Sequence, residues 1–248
     1  MVKAEGLVLR IVPYKDRQYM LYLWTREGGP QSYSVYASRS SQGMLSAGQL
    51  RPMQRLEIVS TGAVSAQVHR VREMSIHPAS IRDLQGEQIA AFSLLAEWLA
   101  SVLAEGQNEE AYFDEFCDLL PIATSPDLCL IGLAALLAGL SRHLGFAPGT
   151  ETYKNGLVLH GQSGRWIDHS FEKQREDSWC MHPSSSRLYC ELLNQYCKLL
   201  NQNGTDLSAM PPEDRVHVHR YLEDLCRYFQ VHIQGFRIPR FLPLVLSI

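Results

Sequence analysis

Hydrophobic and polar positions alternate with two different periods along this chain, and the change falls near Pro78. Before it, Leu7, Leu9 and Ile11 alternate with Val8, Arg10 and Val12, and a second run, Tyr19 to Thr25, is dense in aromatic and β-favouring residues. That run ends at Gly28-Gly29-Pro30, residues that break a strand. Tyr33, Val35 and Ala37 alternate with Ser32, Ser34, Tyr36 and Ser38, the period-two signature of a half-buried strand. Leu56-Glu57-Ile58-Val59 and Gln67 to Val71 supply two more. Five short strands within residues 1–80 predict a small closed barrel of the OB type, because closure removes the exposed strand edges that template aggregation.

After Pro78 the spacing becomes helical. Phe92, Leu95, Leu99, Val102 and Leu103 predict an amphipathic helix over 84–105. A shorter one is expected around 109–120, with Glu109, Glu110, Asp114, Glu115 and Asp118 on its wet side. The run from Leu128 to Leu144 is apolar nearly all round and predicts a central buried helix, with Asp127 placed to cap it. Further helices are expected over 188–200 and 212–232, the second entered through Pro211-Pro212. Gly156 to His160 and Arg165 to Asp168 flank Gly161-Gln162-Ser163-Gly164, which reads as a β-hairpin near 156–168. The expected fold class is α+β: a five-stranded OB barrel over 1–80, then an all-α domain over 81–248 with a hairpin insertion.

Charge sharpens that division. The net charge is −3, but of 23 Lys/Arg and 26 Asp/Glu, ten and five fall in residues 1–80, a balance of +5, leaving −8 for 81–248. Two surfaces with different partners are implied, the basic one suited to polyanions. Met1 to Gly6 lead directly into alternating residues rather than an apolar run, which predicts no secretory signal. The run from Leu128 to Leu140 is shorter than the roughly 18 residues that span a bilayer, so a cytoplasmic chain is expected. The six cysteines form no C-x-x-C pair and read as reduced thiols among apolar neighbours.

No phosphate-binding, dinucleotide, nucleophile-elbow or H-E-x-x-H motif is present, so binding is expected rather than catalysis, with no cofactor. His160, His169, Cys180 and His182 are the sharpest metal set, but only Cys180 and His182 approach ligand-pair spacing, and surface histidines with a buried thiol are the preferred reading. His217 and His219, two apart on a helix, point about 200° apart and cannot share a metal. Arg10, Lys15, Arg17, Arg26, Arg39, Arg51 and Arg55 are the phosphate-contact candidates, joined by Arg70 and Arg72, with Tyr14, Tyr33 or Tyr36 as stacking faces.

Glu5 to Arg10, the Pro13-Tyr14 turn, Leu23 to Gly29 and Gln49 to Met53 resemble the N-terminal barrel of the RecO family. Leu140 to Pro148 is similar to a motif of that family's helical region, and Tyr228 to Phe236 to its carboxyl end. Many members carry two C-x-x-C pairs after the middle motif. Tyr153 to Asp168 holds no cysteine, so the resemblance is to the zinc-less type. It implies a non-enzymatic mediator of recombinational repair that binds single- and double-stranded DNA, anneals strands and, with RecR, helps load RecA onto strands coated by single-strand-binding protein. Two departures stand out: the loop after the third strand keeps only Arg39, and Ala134 and Ala135 stand where some members use arginines to hold the acidic tail of single-strand-binding protein, leaving Arg142 as a partner-binding candidate. The second hypothesis is a protein–protein scaffold of the same fold with little DNA binding of its own.

Overall fold

The structure, a computed structural model, describes residues 1–15, 18–36, 50–61, 68–104, 110–168, 179–201 and 216–247. Five strands, β1 (Val2–Lys15), β2 (Gln18–Thr25), β3 (Gly29–Tyr36), β4 (Arg55–Thr61) and β5 (His69–Ile76), close into a barrel in the order β1-β2-β3-β5-β4. All seams are antiparallel except β3–β5, which is parallel and runs through Tyr33↔His69 and Ser34↔Arg70. Val8, Leu21, Leu23, Tyr33, Val35, Leu56, Ile58, Val71 and Met74 point inward and fill it.

Two strands run further than their alternation indicates. β5 continues to Ile76 because a register shift opposite Val59 and Ser60 inserts a residue, so Arg72 and Glu73 both face out between inward Val71 and Met74. β3 begins at Gly29, with Pro30 already paired to Trp24, and the chain reverses over Arg26 to Gly28 instead.

The outer wall of the barrel has two halves. A bulge between Val8 and Arg10 divides β1. On one side of it Leu7, Leu9 and Trp24 are buried although they lie outside the barrel core. The helix α1 (Glu87–Val102) packs along β1, and Trp24 sits among Tyr112, Phe113 and Phe116 of α2 (Glu110–Leu119), with ring centroids 5.2 to 5.5 Å away. Past the bulge, Arg10 is exposed and the wall is open.

The chain divides into two compact units, Met1–Cys117 with Pro239–Phe241, and Asp118–Ile238 with Leu242–Ile248. The first therefore holds α1 and most of α2 as well as the barrel.

In the second unit the central element is α3 (Cys129–His143), buried from Ile131 to Ser141 as its composition requires. Gly132 is needed there, since a Cβ would lie 2.7 Å from the Ile122 carbonyl and 2.8 Å from Ala123 Cα. Asp127 does not cap this helix. Pro126 starts a 3₁₀ turn over Pro126–Leu128, which makes Leu128 the capping position, and its side chain offers no acceptor. The hairpin forms as expected from β6 (Leu157–His160) and β7 (Arg165–Asp168). Two further helices, α4 (Pro183–Leu200) and α5 (Val218–His232), precede a short terminal turn, α6 (Leu242–Val245). The Pro211-Pro212 entry lies outside the described residues.

The segments Leu140 to Pro148 and Tyr228 to Phe236 meet inside this unit. Gly145 takes a positive φ of 82°, turning the chain so that the Phe146 carbonyl accepts from the Tyr228 hydroxyl at 2.7 Å. The Phe146 ring stacks on His232 at 5.2 Å, and the other end of His232 lies 2.8 Å from the Gly161 carbonyl of the hairpin turn. Among the described residues, no single helix is long and apolar enough to cross a membrane, although Glu110–Ala123 and Pro126–His143 pass together as a broken pair, by length and composition only.

Candidate nucleic-acid interface

The open half of the barrel wall is built by alternation. Leu21 and Leu23 point inward on β2, so Tyr22 between them points out. Tyr22 is paired in register with Arg10 of β1 on one side and Ser32 of β3 on the other. Val35 points inward on β3, leaving Tyr36 outside, and Ser34 is registered with Arg70 of β5.

Each exposed ring on this face carries a cation. Arg10 lies 5.9 Å from the centre of Tyr22, Lys15 5.2 Å from Tyr14 and Arg70 5.2 Å from Tyr36. Such contacts hold a long basic side chain against a ring without consuming its charge. Tyr14, Tyr22 and Tyr36 are 58%, 37% and 46% exposed, enough for each to offer a face to another planar ring. Arg10, Arg70 and Arg72 make no ion pair among the described residues. Flat rings beside cations, on the strand face of an OB-type barrel, suit an oligonucleotide, whose bases can stack and whose phosphates can be met.

The remaining candidates fall elsewhere. Arg26 is held by α2: its guanidinium donates to Asp114 at 2.7 and 2.5 Å and lies 3.7 Å from Glu110. The Asp114 hydrogen bond holds the guanidinium well above its usual range and in return lowers the carboxyl of Asp114. Burial works to lower Arg55, yet its hydrogen bond to Glu5 together with the charges around it, Glu5 and Asp114 among them, leaves it raised. It also lies 5.9 Å from the Phe113 ring. Both arginines are thus occupied in tying helix α2 and β1 to the barrel. Arg51 is exposed, beside a cavity away from the Tyr22 face. Arg17 and Arg39 lie outside the described residues. Tyr33 is a correction: it points inward, is 1% exposed and donates to Gln31 at 2.7 Å, and burial pushes its hydroxyl up to about 12. It is a core residue. Tyr22, which the alternation of Leu21 and Leu23 announces, takes its place.

Because the Asp114 carboxyl is lowered in the folded chain, its contribution to stability is present above the ordinary carboxylate range and disappears as pH falls through the lowered value. The pair is substantially exposed, so the effect is small. Asp114→Asn is expected to lower the thermal midpoint at about pH 7 and to lower it progressively less at acid pH, as the wild-type carboxyl takes up its own proton. An equal drop at neutral and acid pH would show that the loss is one of packing instead.

In the second unit Arg142 is exposed in the last turn of α3, while Ala134 and Ala135 are fully buried and unavailable to any partner. His160 bonds Ser163 at 2.8 Å, and His182 caps α4 by accepting from the Ser184 backbone at 3.3 Å. Cys180 lies in a backbone bridge opposite His160, and His169 is outside the described residues. Among the described residues no group of three His, Cys, Asp or Glu side chains is placed to hold a metal. All six cysteines are free thiols; Cys117 and Cys197 are half-buried and the others buried, with burial pushing Cys226 up to about 12.

A closed five-stranded barrel with an open basic and aromatic wall, followed by a helical region, defines the class: an OB-type barrel protein of the α+β kind. No protein-family model matches the chain. Curated relatives do: the chain is 19% identical over 240 residues to the DNA repair protein RecO of Azobacteroides pseudotrichonymphae, with 94% of this chain and 93% of that protein covered. It is 21% identical over 258 aligned positions to RecO of Christiangramia forsetii, covering 100% and 99%. RecO of Bacteroides fragilis is 23% identical over 242 residues, covering 95% and 94%. Similarity at modest identity, sustained over most of the chain, supports the RecO family for this protein.

Proposed function

We propose that this chain is a non-enzymatic, cytoplasmic DNA-repair protein that binds single-stranded DNA on the Tyr14–Tyr22–Tyr36 face of its barrel. The observation that carries the reading is the pairing of each exposed tyrosine with a cation, Arg10, Lys15 or Arg70, on one open wall of a barrel whose other wall is covered. Bases stack on the rings and phosphates meet the cations, so recognition is sequence-tolerant. Arg51 sits apart from that wall, and Arg26 and Arg55 act as structural ties. The resemblance to RecO extends the proposal to double-stranded DNA, to annealing of complementary strands, and to work with RecR in loading RecA onto strands coated by single-strand-binding protein. The acidic helical region, with Arg142 exposed on it, is the surface we assign to protein partners.

The test is binding of a fluorescent single strand across a range of salt. Neutralised phosphates release counterions, so for single strands log K falls with log salt at a slope of about −0.7 for each phosphate contact. A chain contacting three to five phosphates by this count gives a slope of about −2 to −3.5. Retention of a RecR-type partner with no salt-sensitive binding of DNA would instead favour the scaffold reading, for which the loss of basic residues beside Arg39 is the supporting observation.

A further inference from the structure

A second feature of the first unit lies apart from the tyrosine face. Arg51, Pro52, Met53, Gln54, Ile76, Ile81, Arg82, Asp83 and Leu84 surround a cavity of about 260 Å³. Its shape is fixed by an unusual backbone. Met53 has a φ of 61°, a left-handed conformation that a long side chain seldom adopts. Two hydrogen bonds to one strand residue impose it: Met53 N–H donates to the Val8 carbonyl at 2.7 Å, and Val8 N–H donates to the Gln54 carbonyl at 2.9 Å. Asp83, on the other segment lining the cavity, also has a φ of 61°.

Gln54 is the informative residue. It is 9% exposed, and its Oε1 accepts from the Arg51 N–H at 3.2 Å, which orients the carboxamide. Its Nε2 then has two donor hydrogens and no partner among the described residues. That amide is not sealed from solvent, so its hydrogens are available to an acceptor that enters the cavity. The exposed side chains of Arg51 and Arg82 likewise have no ion-pair partner among the described residues. Pro52, Ile76, Ile81 and Leu84 supply apolar wall.

These groups select the occupant by chemistry. Apolar walls suit a flat ring, Nε2 of Gln54 can donate to an acceptor on that ring, and the Asp83 carboxylate can accept from a donor on it. The exposed guanidiniums of Arg51 and Arg82 can meet an anion outside it. A nucleobase with an exocyclic amine and its attached phosphate matches all four groups, whereas an acidic peptide brings no flat ring that both donates and accepts. The volume lies just below the roughly 300–1,000 Å³ of pockets that enclose drug-sized ligands, which suits one base rather than a large cofactor. We infer that this cavity takes a single unstacked nucleotide of a DNA strand, its base between the apolar walls and its phosphate on Arg51 and Arg82. The inference rests on the single-strand reading above but concerns a separate site.

The experiment uses the full chain with two probes: the deoxynucleoside monophosphates of cytosine, adenine and guanine, followed by saturation-transfer NMR, and a short fluorescent single strand. At least one monophosphate is expected to show transfer to its base protons. Gln54→Leu and Arg82→Glu should each weaken that binding by about tenfold or more, equivalent to about 1.4 kcal/mol. Arg10→Glu with Arg70→Glu should leave the monophosphate signal in place while strand binding collapses. Arg82 is exposed, so its variant reports on the cavity even if Gln54→Leu folds poorly. Absence of monophosphate transfer, or transfer indifferent to Arg82→Glu, with the strand still bound, overturns the cavity and leaves the single-strand reading intact. Loss of both signals in the wild-type chain overturns both. Preferential binding of an acidic peptide that displaces the monophosphate also overturns the inference and assigns the cavity to a protein partner.

Discussion

A chain carrying Arg10→Glu, Tyr22→Ala and Arg70→Glu is expected to fold normally and to lose single-strand binding at salt near physiological. Tyr22 and its neighbours face solvent, so the substitutions remove no core contact. Base–aromatic stacking is worth about 1–3 kcal/mol per base, so Tyr22→Ala alone predicts a loss of roughly five- to 150-fold. The two charge reversals remove two phosphate contacts and introduce repulsion, and the salt slope should flatten by about 1.4, at about 0.7 per phosphate. Fluorescence anisotropy across a salt series reads both numbers. Arg26→Ala is the internal contrast: its guanidinium is engaged by Asp114, so its removal should leave the slope unchanged. Equal sensitivity of the slope to Arg26 and to Arg10 would sink the proposed face.

The second large effect is on stability. Trp24 is 2% exposed and meets three rings of α2. Removing a buried Trp or Phe side chain costs about 3–5 kcal/mol, a large fraction of the about 5–15 kcal/mol that holds a domain folded. Trp24→Ala should therefore move the urea midpoint of the barrel unit down by more than about 1 M, given slopes of about 1–3 kcal/mol per M. Trp24→Phe keeps a ring against α2 and should cost much less. Circular dichroism reports the strands and α2 without relying on the lost fluorophore. A shift no larger than that of the exposed Tyr14→Ala would show that α2 is not anchored through this residue.

What the sequence made legible follows the strength of local signals. The closed barrel, the buried α3 and the hairpin of Leu157–His160 with Arg165–Asp168 were readable because period and turn residues agree there. Inward Tyr33 and outward Tyr22 were both encoded in the alternation around them, yet a search for aromatic residues near basic ones does not distinguish the two faces of a strand. The ties of Arg26 to Asp114 and of Arg55 to Glu5 lie 88 and 50 positions apart and have no local signature. The cap at Asp127 failed for a local reason that was visible: Pro126 beside it favours a tight turn. The cavity around Gln54 could not be foreseen, because it depends on a left-handed Met53, a conformation that composition argues against.

The seam between β3 and β5 carries one more consequence. Among the described residues it closes the barrel through Tyr33↔His69 and Ser34↔Arg70, while the other seams run along most of their strands. Breathing motions begin where the ladder is shortest, so amide exchange should be fastest there. Arg70 belongs both to that ladder and to the face beside Tyr36. A strand lying from Tyr22 across to Arg70 would act as a suture over the gap, and each opening would cost the guest its grip. Occupancy and barrel breathing are then one equilibrium, and the bound strand slows the clock of its own container.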